Sequence, residues 1–84
     1  MNSESSTPSL EQLLEEALMN QHGPMITGKS LWEALGFTSG DAFRQAIVRK
    51  TLPIPVFSIE NRRGKFALTK DVAIWLARTR SRNT

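Results

Sequence analysis

The chain has no cysteine, no tyrosine and a single histidine, His22. Without thiols it can build neither a disulfide framework nor a thiolate metal site, and a cysteine-free chain suits the reducing cytoplasm. One histidine cannot anchor a metal cluster or a histidine-based catalytic constellation, and its position suits a residue near a helix C-terminus. The carboxylates do not take its place, because Glu15 and Glu16 fall on the outer side of a helical pattern with no histidine or tyrosine beside them. An enzyme is therefore not expected, nor a cofactor or a metal. Long apolar runs are missing as well: none approaches the ~20 residues of a membrane span. Residues 1–9 are polar and acidic and lack the basic start of a signal peptide, so neither export nor anchoring is expected.

Positive charge is absent from the first part of the chain. Residues 1–24 hold Glu4, Glu11, Glu15 and Glu16 and no Lys or Arg, whereas residues 25–84 hold all eleven Lys and Arg against Glu33, Asp41, Glu60 and Asp71. The bulk of the chain is thus far more basic than the overall net charge of +3 suggests, which points to a polyanionic partner. With 84 residues the chain can bury one small core, which argues further against a deep catalytic pocket.

Residues 1–7 are too polar to offset their ordering entropy and are expected to be disordered. Thr7 suits a helix N-cap with Pro8 at the first helical position, and Leu10, Leu13, Leu14, Ala17 and Leu18 then recur at the spacing of one helical face. This acidic helix and its His22-Gly23-Pro24 stop occupy residues 8–24. Thr27 suits the cap of a short second helix with Leu31, Ala34 and Leu35 facing inward and Gly36 ending it, and Phe37 plugs the turn. Thr38 or Ser39 caps a third helix that gathers Ala42, Phe43, Ala46 and Ile47 on one side and Asp41, Arg44, Gln45 and Val48 on the other. Two short helices joined by a tight glycine-containing turn make a helix-turn-helix.

The motif Leu52-Pro53-Ile54-Pro55 must be extended, since each proline fixes its own φ and restricts its predecessor. It leads into a hairpin. Phe57 and Ile59 alternate with Ser58 on one strand, Phe66 and Leu68 flank Ala67 on the other, and Gly64 closes the turn beside Arg62, Arg63 and Lys65. Thr69 caps a last helix with Val72, Trp75, Leu76 and Thr79 on one face, and residues 80–84 fray as a basic tail. The pattern predicts an α+β fold: a small winged helix-turn-helix over residues 25–79, with a two-stranded hairpin wing and an extra N-terminal helix.

Five motifs in order resemble a known family. Ile26-Thr27 with Leu35-Gly36-Phe37, the pair Phe43-Arg44, Leu52-Pro53-Ile54-Pro55, the basic turn from Arg62 to Lys65, and Asp71-Val72 followed by Trp75-Leu76 are similar to the small MerR-like winged-helix proteins of the AlpA and excisionase type. The resemblance covers residues 25–77. It implies sequence-specific DNA binding in transcription regulation or site-specific DNA recombination, in phages, plasmids and other mobile elements, with the protein on the bacterial nucleoid. Two departures stand out: Lys50-Thr51 occupies the place of a glycine common in the family, and the acidic first helix is additional.

The residues offer matching chemistry. Arg44 has the geometry for a guanine edge, Gln45 for adenine, and Val48 for a thymine methyl in the major groove; the alternative is an ordinary solvated helix face. Arg62, Arg63 and Lys65 suit phosphates or the minor groove, though charge at a hairpin tip also protects sheet edges. Thr27, Lys29 and Ser30 begin the second helix, where free N–H groups favour a phosphate. Thr38 and Ser39 at the start of the third helix and Arg49 at its end complete the DNA-facing set. The expected partner is double-stranded DNA. The aromatic residues Trp32, Phe37, Phe43, Phe57, Phe66 and Trp75 suit the core better than base stacking. The leucine stripe of the first helix can pack on that core, pair with its copy in a homodimer, or bind another protein, which leaves a protein-interaction adaptor as the alternative class. Ile74 stands apart from Val72 and Leu76 as an apolar residue expected to be exposed.

Overall fold

A computed structural model describes residues 8–82; the expected disorder of residues 1–7, a capping role for Thr7 and the last two residues of the basic tail lie outside them. Helix α1 spans Leu10–His22. It starts later than the Thr7-Pro8 pair suggests, because Ser9 closes a capping box: its Oγ accepts from the Gln12 amide (3.1 Å) while Gln12 Oε1 accepts from the Ser9 amide (3.0 Å). Gly23, at φ 78°, ends the helix by donating its N–H to the Met19 carbonyl (2.8 Å).

The sheet differs from the expected hairpin. Strand β1 (Met25–Thr27) pairs antiparallel with β2 (Phe66–Leu68), matching Met25 with Leu68, Ile26 with Ala67 and Thr27 with Phe66. Phe57 meets Phe66 from the other side in a single bridge, with two 2.8 Å hydrogen bonds and stacked rings. The strand expected over residues 57–59 is cut short because Ile59 already enters a turn, its carbonyl accepting from the Arg62 amide (3.0 Å). Three residues are too few to show an alternating pattern, so β1 is hidden inside the approach to the second helix.

Helix α2 (Gly28–Ala34) buries Leu31 completely, and Leu35 and Gly36 turn the chain so that Phe37 packs edge-on against Phe43 at 5.8 Å. Helix α3 (Gly40–Arg49) takes Ser39 as its N-cap, with Oγ accepting from the Ala42 amide (3.1 Å), and buries Phe43 and Ala46. Lys50 closes α3 in the left-handed region, at φ 58°. That is the position where a glycine carries no Cβ penalty, and lysine costs about 1–2 kcal/mol there. Lys50→Gly is therefore expected to stabilise the free protein by about 1 kcal/mol, raising the thermal midpoint by roughly 4–8 °C in a calorimetric scan.

Helix α4 spans Thr69–Arg82, so the chain stays helical to Arg82 rather than fraying from residue 80. Thr69 is fully buried and ties the helix start to the α1 stop: its amide donates to the Pro24 carbonyl (2.9 Å) and its hydroxyl to the Gly23 carbonyl (2.6 Å). At the other end Ser9 and Leu10 lie beside Ser81 and Arg82, so α1 runs antiparallel along α4. This packing buries Ala73 and Ala77 in addition to the expected Val72. Ile74 is half-buried instead of exposed, in a cleft with Pro53, Pro55 and Trp75. Only part of the α1 stripe faces inward: Leu10, Leu14 and Leu18 are half-buried, while Leu13 and Ala17 are exposed. The core joins Ile26, Leu31, Leu35, Phe43, Ile54, Ala67 and Val72, with both tryptophans packed on its margin.

Candidate nucleic-acid interface

The amphipathic pattern of α3 places its two faces as the spacing predicts. Phe43 and Ala46 point into the core, and Arg44, Gln45, Val48 and Arg49 form one exposed patch. Val48 is 80% exposed, more than any other large apolar side chain among the described residues. Arg44 pairs with the Asp41 carboxylate one turn earlier, and its guanidinium lies over Gly40, with Nη1 3.4 Å from where a Cβ there would stand. Both partners are solvent-exposed, so the pair is worth about 0–1 kcal/mol and opens readily to a competing acceptor.

Residues 58–65 project from the Phe57–Phe66 bridge as a loop. Gly64 (φ 87°) is one of two left-handed positions; Asn61 (φ 66°) supplies the other, a residue type that tolerates this region. Arg62 and Arg63 are exposed. Lys65 is half-buried, and its ammonium donates to Ser58 Oγ across the loop (2.9 Å). Loop and helix face each other across a groove of about 580 Å³, whose floor includes Trp32, Phe43 and Ile47 and whose rims carry Arg44, Val48, Arg62 and Lys65. Two segments far apart in sequence thereby share one concave cationic surface. The glycines in its walls, Gly28, Gly40 and Gly64, and the half-buried Trp32 are absent from the sequence-derived set. Gly40, directly after the Ser39 cap, carries no sequence signal of its own; only the approach of Arg44 and Trp32 places it in the wall.

The start of α2 is arranged differently from the expectation. Thr27 stands at the N-cap, yet its hydroxyl makes no capping bond; it donates to the Lys65 carbonyl (2.6 Å). Lys29 is exposed and pairs with Glu33 (3.7 Å), and Ser30 is exposed. Thr38 is exposed, whereas the Ser39 hydroxyl is occupied as the α3 cap. Among the described residues no three His, Cys, Asp or Glu side chains gather as a metal site, and no helix is long and apolar enough to cross a membrane. Comparison with protein families, curated proteins and solved structures finds no match to this chain.

Proposed function

We propose that this is a sequence-specific double-stranded DNA-binding protein built as a winged helix-turn-helix, with α2 and α3 as the helix-turn-helix and the 58–65 loop as the wing. Helix α3 enters the major groove, where Arg44 reads guanine, Gln45 reads adenine and Val48 packs on a thymine methyl. Arg62 and Arg63 grip the adjacent backbone or minor groove, and Arg49, Lys29, Ser30 and Thr38 supply flanking contacts. The observation that carries this reading is Val48, 80% exposed in the middle of the Arg44, Gln45 and Arg49 patch and facing the cationic loop across one groove. A single exposed valine is ordinary; one framed by cations from two elements has a use on a polyanion that presents methyl groups. The protein acts by binding, as a transcription regulator or as an excisionase-like recombination directionality factor, on bacterial or mobile-element DNA in the cytoplasm.

Arg44→Ala is expected to weaken the cognate duplex by about 1–3 kcal/mol and leave random duplex nearly unchanged, because a base contact exists only in the specific complex. Fluorescence anisotropy on both duplexes measures this, after a site has been selected from a random pool. Equal losses on cognate and random DNA would make Arg44 a phosphate contact.

A second reading has its own observation. The outer face of α1 exposes half of Leu13 and 39% of Met19 among glutamates, a surface suited to a protein partner. An adaptor using that face keeps its partner when Arg62, Arg63 and Lys65 are all alanine, whereas DNA binding weakens sharply with that change if the loop grips the duplex.

A further inference from the structure

The Thr27 hydroxyl sits where a helix cap ordinarily turns back to its own helix amides. It instead spans 38 residues of sequence to reach the Lys65 carbonyl at 2.6 Å. Lys65 is held a second time through its ammonium, 2.9 Å from Ser58 Oγ on the opposite limb of the loop. Gly64 lets the loop turn beside Thr27, because its φ of 87° is one that a side chain would strain, although the Thr27 hydroxyl itself leaves room for a Cβ. Beyond these bonds the loop is anchored only at its base, by the Phe57–Phe66 bridge and by the Thr27–Phe66 pair that ends the β1–β2 ladder.

From this geometry we infer that Thr27 and Lys65 are positioning residues, a brace that fixes the loop carrying Arg62 and Arg63 relative to α2 and α3. The inference rests on the DNA-binding reading above and assigns Thr27 and the Lys65 backbone roles other than phosphate contact. With the brace in place the loop cations are ordered before DNA arrives, so binding does not bear the cost of ordering them. Without it the loop is held only at its base, its tip moves, and phosphate contacts are lost while the α3 base contacts persist.

Thr27→Val removes the donor and keeps a β-branched side chain suited to the extended backbone of the cap (φ −149°). Thr27→Ser keeps the donor. Ser58→Ala is a second variant, at an exposed position where folding is not at risk, and it cuts only the Lys65 ammonium bond. In anisotropy titrations, Thr27→Val is expected to weaken cognate and random duplex alike by about fivefold to tenfold and to reduce the log-log salt slope by about 1–2. Thr27→Ser restores both, and Ser58→Ala shifts both in the same direction by less. A merely structural defect lowers the folded fraction and leaves the salt slope unchanged. In the free protein, amide order parameters and hydrogen exchange over residues 61–65 should loosen in Thr27→Val and not in Thr27→Ser. Unchanged loop order in Thr27→Val overturns the brace, and so does a loosened loop with unaltered affinity and slope. Wild-type protein that binds no duplex would instead refute the DNA-binding reading and, with it, the positioning role; loop order in the free protein would then decide only whether the brace exists.

Discussion

Raising the salt from 50 to 200 mM is expected to lower duplex affinity by about 10²- to 10⁴-fold. The estimate follows from roughly five to seven phosphate contacts, each releasing a condensed counterion, which gives a log-log slope of about −4 to −7. With Arg44 kept for a base edge, the cations of α2, α3, its C-cap and the loop are of that number: Lys29, Arg49, Lys50, Arg62, Arg63 and Lys65, all exposed but the half-buried Lys65. Titrations of one duplex at several salt concentrations measure the slope directly. Changing Arg62, Arg63 and Lys65 together to alanine should make it shallower by up to about 3. A slope that stays at its full value in the triple variant would take the loop out of the mechanism. A flat response of the wild type would remove DNA as the partner, because an interface built on exposed cations cannot grip a polyanion without displacing its counterions.

The exposed face of α3 was legible for a physical reason that the rest of the fold does not share. Helix α3 spans ten residues of strong amphipathic contrast, so the side that buries Phe43 and Ala46 fixes the side that presents Arg44, Gln45 and Val48. The Leu35-Gly36-Phe37 turn is likewise set by one left-handed glycine, at φ 89°. Strand β1 gave no such signal, since three residues ahead of a helix carry neither periodicity nor length. Thr27 was misleading for a related reason: its type and position announce a cap, and only the tertiary approach of Lys65 diverts the hydroxyl. In α4 the buried Ala73 and Ala77 look neutral in sequence, because alanine suits both core and surface; α1 lying against them decides the matter. The groove could not be read from either of its walls alone, as α3 and the 58–65 loop are brought together by the pairing of β2 with β1 and Phe57 and by the Thr27–Lys65 bond.

Removing residues 1–22 is expected to destabilise the protein strongly without changing its state of association. Helix α1 is antiparallel to α4, with Leu10, Leu14 and Leu18 half-buried and Leu18 packed on the core, and its loss uncovers Ala73 and Ala77. Half-burial of three leucines amounts to about 2–4 kcal/mol. That is a large share of the roughly 4–12 kcal/mol available to a domain of this length. The thermal midpoint should therefore fall by about 10–30 °C, if a folded baseline survives at all. Analytical ultracentrifugation should show the full-length chain and any folded truncated protein sedimenting as single copies. A truncated protein of half the assembled mass would show that the exposed Leu13 and Ala17 side of α1 pairs with a second copy, and half-site cooperativity on DNA should then vanish with it. Unchanged stability and mass would contradict the α1–α4 packing, leaving an external protein as the only remaining partner for the leucine stripe. Charge supplies an independent check in the same experiment: the deletion takes away Glu4, Glu11, Glu15 and Glu16, so truncated protein kept folded at low temperature should bind random duplex more tightly than the full chain does.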